Sequence, residues 1–242
     1  MKANTAHCRS VGATLGILLA LVMGAPTTSA DPLNPSVLSP NSPQFGRTYG
    51  EWSAAWWQYV LSIPAPTNPL LDATGAKCGL EQAGPVFFLV GTFTVTPFPG
   101  GGVIGIANRT ECTVPAGVAL FFPILNSECS TAEGNGTTDA QLRACAAGLM
   151  QGATNLAAEV DGVAIKGLQN AQTTDFRVQS PLFTFSLPGN NLLGVLPQTS
   201  PSVADGVYLM LAPLAAGPHT IHFKGEVPGF RLDVSYTPLT VK

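Results

Sequence analysis

The chain has 242 residues, the length of one sizeable domain, and carries a formal charge of only −3 from 11 basic and 14 acidic side chains. Lys and Arg cluster nowhere, which excludes a nucleic-acid or anionic-membrane surface built on phosphate contacts. The 26 glycines and 21 prolines demand many turns, and many turns point to short strands rather than long helices.

Residues 1–30 read as a signal peptide. Lys2 and Arg9 give a positive start, Val11 to Met23 is apolar, and Thr28-Ser29-Ala30 offers small residues for cleavage after Ala30. The apolar run is shorter than the roughly 20 residues a membrane span requires, and no later stretch reads as transmembrane. Loss of Lys2 and Arg9 takes the formal charge from −3 to −5. The expected destination is the outside of the cell, the periplasm or the envelope.

Cys8 leaves with the signal peptide, and Cys78, Cys112, Cys129 and Cys145 remain. An even number in an exported chain reads as two disulfides. No C-x-x-C pair is present, so a zinc site is the weaker reading. Of the three possible pairings, Cys78 with Cys112 and Cys129 with Cys145 are expected. The first would pin a long loop to the strands, and the second would tie a polar loop to a helix.

In chain order, residues 31–47 form a Pro-, Asn- and Ser-rich extended arm with little capacity for a core of its own. A single domain over 48–242 follows. Thr48 to Ile63 is its organising helix and holds all three tryptophans. Thr48 and Glu51 have capping-box spacing, and Pro64 and Pro66 stop the helix. Trp52, Trp56, Tyr59 and Ile63, widened by Val60, share one face that should be core. Trp57 falls off that stripe beside the polar Gln58, so it is read as exposed and as a platform on which a ligand ring or sugar would stack.

Pro64 to Gly84 is a long irregular loop. Val86 to Phe93 reads as a central strand, apolar on both sides, with Val103–Ala107 and Val118–Ile124 as further strands. Asn126 to Thr138 reads as a polar loop. Thr138 and Gln141 form a second capping box, opening a helix with Leu142, Cys145, Leu149 and Ala153 on its inner face. Asp161-Gly162 between two apolar runs is a hairpin turn. Phe183 and Phe185 alternate with polar residues, as do Leu232, Val234 and Tyr236. Pro188 to Asp205 reads as a loop. The sum is a mainly β protein, a β-sandwich of about nine strands with two helices packed on it.

Four strings stand out together: GEWSAAWWQYVLSIP followed by NPLLD, CTVPAGVALFFPILN with Cys129 after it, RVQSPLFTFSLP, and GPHTIHFKG. On these the chain resembles a family of secreted bacterial proteins with no established activity. The resemblance covers most of the mature chain. It implies a secreted β-rich domain and transfers no catalytic residue.

Little in the chain points to chemistry. His219 and His222 are three apart in a strand, hence on opposite faces and unsuited to share a metal. His222 shares a polar face with Asp233 and Ser235, but no G-x-S-x-G elbow supports a triad. Glu51, Glu111, Glu128 and Glu133 are scattered, and the sequence alone does not bring two together for glycoside hydrolysis. Polar residues beside apolar strands, Asn126, Glu128, Arg177 and Gln179, are read as buried hydrogen-bonding groups or ligand contacts.

The candidate ligand-binding residues are Trp57, Gln58, Asn126 and Arg177, with no catalytic residue, metal or cofactor expected. The expected function is a non-catalytic binding or envelope-associated module whose partner is a neutral carbohydrate or another envelope component. The alternative is a secreted hydrolase acting on a neutral polymer such as a polysaccharide.

Overall fold

The computed structural model describes residues 30–31 and 34–242. Apart from Ala30, the segment read as a signal peptide lies outside the described residues. The arm opens as strands β1 (Ala30–Asp31) and β2 (Asn34–Leu38), paired antiparallel. Helix α1 (Tyr49–Ser62) follows. Its capping box is complete: the Thr48 hydroxyl accepts from the Glu51 N–H, and the Glu51 carboxylate accepts from the Thr48 N–H at 2.7 Å. Two short 3-10 turns, Ala65–Thr67 and Pro69–Leu71, lead into the long loop. Strands β3 (Val86–Phe88), β4 (Val95–Pro97), β5 (Val103–Arg109), β6 (Thr113–Val114) and β7 (Ala119–Ser130) come next. Helix α2 (Asp139–Leu149) carries the second complete capping box, Thr138 with Gln141. The chain ends with β8 (Thr154–Val160), β9 (Val163–Ala164), β10 (Arg177–Gln179), β11 (Phe183–Leu187), β12 (Gln198–Leu211), β13 (Gly217–Val227) and β14 (Phe230–Val241).

These fourteen strands among the described residues, more than the nine or so expected, form two mixed seven-stranded sheets packed as a β-sandwich. In the first sheet β12 is central. It pairs with β7 on one side and with β11, β10 and β2 in turn on the other, while β3 runs parallel to β7. The second sheet runs β4-β5-β14-β13-β8-β9, with β6 joining β14 beyond β5. Asp161 and Gly162, both at positive φ, turn β8 into β9 as the Asp-Gly pair requires.

The first sheet is buried on both faces. Phe122 of β7 meets Phe223 of β13 across the sandwich, with ring centroids 5.1 Å apart. Phe121, its neighbour, points the other way, against Tyr49 and Trp52 of α1, and stacks on Tyr208 at 5.3 Å. This explains the run VALFFPI, apolar on both sides. Helix α1 approaches β10 closely at Gly50, where a Cβ would stand 2.7 Å from the Gln179 carbonyl oxygen.

Several sequence expectations need correction. Trp57 is buried, only 5 % exposed. Tyr49, Ser53, Trp57 and Leu61 form a second buried row beside Trp52, Trp56 and Val60, so the helix is covered on more than one side. The polar segments read as loops are strand: β7 continues to Ser130 and β12 starts at Gln198. There Cys129, Ser130, Ser200, Ser202 and Val203 are fully buried, and pairing between the strands overrides their composition. Val86 to Phe93 is not a central strand. Only Val86–Phe88 joins the first sheet; then the Leu89 N–H bonds to Phe121 O in that sheet, and the Val90 N–H bonds to the Tyr236 hydroxyl in the other. On α2 Leu142 is buried on the inner face as expected and Ala146 joins it, but Leu149 is 54 % exposed. The arm docks as an edge strand, Val37 opposite Leu211, with Val37 and Leu38 buried.

Both disulfides pair as expected, Cys78 with Cys112 and Cys129 with Cys145. The first closes 34 residues and the second 16, so each contributes on the order of 3 kcal/mol in the chain-entropy description. Such bonds belong to an oxidising compartment. No helix among the described residues is long and apolar enough to cross a membrane.

The burial of both adjacent indoles sets a stability expectation. Trp56→Ala and Trp57→Ala should each lower unfolding free energy by about 3–5 kcal/mol, because each removes a large ring from a packed site. Urea denaturation of the two variants measures this. A small loss for Trp57→Ala alone would restore it as a surface residue.

Candidate functional site

Residues of α1 and of both sheets together line a cavity of about 340 Å³. Helix α1 supplies Trp56 and Trp57; β7 supplies Pro123, Leu125 and Asn126; β14 supplies Phe230 and Leu232. The crossing segment Gly91–Phe93, with Leu70, Val95 and Val103, completes the wall. Phe93 and Val95 are 41 % and 40 % exposed and form an apolar rim. No lining side chain is titratable, and only Thr92 and Asn126 carry polar side-chain oxygen or amide groups.

The two tryptophans meet edge to face at 5.0 Å, a favoured aromatic geometry. The Trp56 indole N–H donates to Leu89 O at 2.9 Å, which ties the helix to the crossing segment. The Trp57 indole N–H is buried without an acceptor in hydrogen-bonding geometry, although the Tyr208 hydroxyl stands near. Asn126 Nδ2 donates to that hydroxyl at 3.3 Å. Opposite Asn126 in the ladder is Gly206; a Cβ there would stand 2.6 Å from Asn126 Cβ and 2.8 Å from the Tyr208 ring. Only glycine therefore lets this polar group form. Burial pushes the Tyr208 hydroxyl pKa upward, so it stays a neutral phenol.

The wall segment Gly91–Phe93 is held by Arg109, which is only 1 % exposed. Its Nε donates to Asp72 O at 3.0 Å. One terminal nitrogen donates to Val90 O at 3.0 Å and to the Tyr236 hydroxyl at 3.4 Å. The other donates to Gly91 O at 2.7 Å and to Pro69 O at 3.2 Å. All five N–H groups of the guanidinium thus have acceptors. Sequence reasoning passed over Arg109. The one signal it offered was a lone arginine closing an apolar strand in a chain with few charges.

Of the four candidate ligand residues, the structure brings Trp57 and Asn126 together in the cavity wall. Gln58 and Arg177 are elsewhere. Gln58 is exposed and donates to Thr184 O at 2.8 Å, fastening α1 to β11. Arg177 bridges β10, β12 and α2 through Asp205 at 2.8 Å, Gln172 at 2.7 Å and Ala147 O at 3.3 Å. Burial raises the Asp205 pKa even with Arg177 beside it.

The structure does bring two carboxyls together. Glu128, 9 % exposed on β7, lies against Glu133 of the following turn. Glu133 is held by the Ser130 hydroxyl at 2.7 Å. The Ser202 hydroxyl meets both Glu128 and, at 3.0 Å, Cys129 O. One hydroxyl proton serves one acceptor, so a protonated Glu128 completes the second bond by donating. Burial and the neighbouring Glu133 push the Glu128 pKa up to about 9. Neither carboxyl lines the apolar cavity.

The histidines stay apart. His219 contacts Asp161 at 2.7 Å and Ala215 O at 2.8 Å, and the Asp161 bond raises its pKa. His222 contacts Asp233 at 2.8 Å, with both side chains over 40 % exposed, a pair worth about 1 kcal/mol or less. No hydroxyl is hydrogen-bonded to the His222 ring among the described residues. No cluster of three or more metal-ligating side chains occurs among them either.

A wider groove of about 440 Å³ lies over the second sheet; its walls mix apolar side chains such as Leu156 and Leu232 with charged ones, of which Arg231 and Glu226 are paired at 3.0 Å. Compared with protein-family models, with curated proteins and with solved structures, the chain finds no match.

The buried carboxyl makes stability depend on pH. The unfolded chain releases this proton near 4.5, the ordinary glutamate value, and the folded chain near 9. The stabilisation from protonated Glu128 is therefore intact below about pH 4.5 and is lost as pH rises towards 9. Urea midpoints of the wild type should fall across that window, and Glu128→Gln should fall less. Parallel pH profiles for the two proteins would contradict a protonated Glu128.

Proposed function

We propose that this protein is an exported, non-catalytic binding module of the bacterial envelope that holds its ligand in the tryptophan cavity. The observation that carries the reading is the wall itself: an apolar cavity of ligand size, two polar side chains, and no ionisable group. Binding sites for small molecules have this character, whereas general acid–base catalysis needs titratable groups within reach of the reacting atoms. The two disulfides and the signal-like segment at residues 1–30 support export.

The observation that bears on the alternative, a hydrolase of neutral polymers, is the contact between Glu128 and Glu133. Glycosidase carboxyls stand about 5 Å or more apart so that they can flank the scissile bond, whereas here a buried Glu128 is in direct contact with an exposed Glu133. The test combines binding and turnover. Tryptophan fluorescence should change saturably on titration with uncharged ligands, without product formation. His222→Ala and Glu128→Gln should leave that binding within twofold of the wild type. Polysaccharide cleavage that collapses in either variant, with folding unchanged, would replace the binding module by the hydrolase.

A further inference from the structure

We infer that the cavity takes a compact, uncharged and largely apolar molecule, about two fused rings in size, whose one hydrogen-bonding group meets Asn126. This rests on the binding reading above. The size comes from the volume. The space of about 340 Å³ is roughly twice the ~150 Å³ apolar cavity that accepts benzene.

The absence of charge comes from the walls. An ionised ligand would lose its hydration against Trp56, Trp57, Leu125 and Leu232 with no opposite charge to replace it. A neutral sugar meets the same objection in milder form. Its many hydroxyls would find the side chains of Asn126 and Thr92 and little else, and each buried hydroxyl left unpaired costs free energy. The expectation of a carbohydrate ligand therefore does not carry over to this cavity.

The single polar contact comes from Asn126. Its carboxamide has donor and acceptor capacity for about four hydrogen bonds, and one N–H goes to Tyr208. Asn126 is only partly buried, so its remaining capacity faces the cavity it lines. The Trp57 N–H sits at the same end, near the Tyr208 hydroxyl. The apolar rim of Phe93 and Val95 matches a ligand that enters with its hydrocarbon surface in contact.

The test uses a matched pair of probes, 2-acetylnaphthalene and 2-ethylnaphthalene, with maltose as the sugar probe, in fluorescence titrations of the full mature chain. Both naphthalenes should saturate. The acetyl compound should bind about 3- to 10-fold tighter, the worth of one net hydrogen bond. Asn126→Leu should abolish that preference, bringing the two affinities within twofold of each other; Asn126→Ala replaces it should the leucine variant not fold. Val95→Arg at the rim should weaken both. Equal affinities, or a preference that survives Asn126→Leu, would overturn the inference and leave the binding reading intact. So would maltose binding with the naphthalenes ignored. Failure of all three probes to bind would overturn this inference alone, whereas turnover abolished by Glu128→Gln would overturn the underlying reading.

Discussion

The constraint on which the rest of this structure depends is the burial of the Arg109 guanidinium. Taking a cation out of water costs several kcal/mol, and only a full set of hydrogen bonds makes that tolerable. The chain meets the demand with backbone carbonyls. Pro69 and Asp72 come from one end of the long loop, Val90 and Gly91 from the crossing segment, and the Tyr236 hydroxyl from β14. The Tyr236 hydroxyl in turn donates to Val90 O and accepts from its N–H. Two irregular stretches that have no ladder of their own are thereby fixed to the second sheet. The Cys78–Cys112 bond closes the same loop three residues beyond Arg109, and the Trp56 N–H holds the crossing segment from the helix side. The cavity wall at Gly91–Phe93 is a product of these ties.

Much of the scaffold was legible because it rests on local rules. Thr48 with Glu51 and Thr138 with Gln141 satisfy helix N-termini within four residues, so spacing alone reveals them. Asp161-Gly162 announces its turn, and the alternation of Phe183 and Phe185 or of Leu232, Val234 and Tyr236 announces a half-buried strand. What stayed hidden depends on partners distant in sequence. Ser127 to Ser130 and Ser202 to Asp205 look like loop, yet they pair with each other in the centre of a sheet. Ser202 meets Glu128 across the ladder and Asp205 meets Arg177 of β10, partners distant in sequence that no local pattern displays.

The site was half legible for the same reason. Trp57 and Asn126 were picked out on type and position, and they do meet, but for a different cause than expected. Trp57 was read as an exposed platform because a single helical stripe was assumed. Helix α1 is covered by the first sheet and by the loop that Arg109 holds, so a second row is buried and Trp57 becomes cavity wall. Gln58, beside Trp57 on the helix, and Arg177, beside an apolar strand, are consumed in joining elements. The wall is aromatic and aliphatic with one amide, one threonine hydroxyl and no ionisable side chain, and the proposed binding role rests on that character.

The most direct measurement is the NMR titration of the tryptophan indole N–H signals with 2-acetylnaphthalene. The chain has three tryptophans, so three signals report. Trp56 and Trp57 line the cavity, while the Trp52 N–H is bonded to Gln44 O at 2.8 Å away from it. The account predicts saturable shifts for Trp56 and Trp57 with Trp52 unmoved. Saturable binding that shifts Trp52 alone, or that leaves all three signals in place, would contradict it.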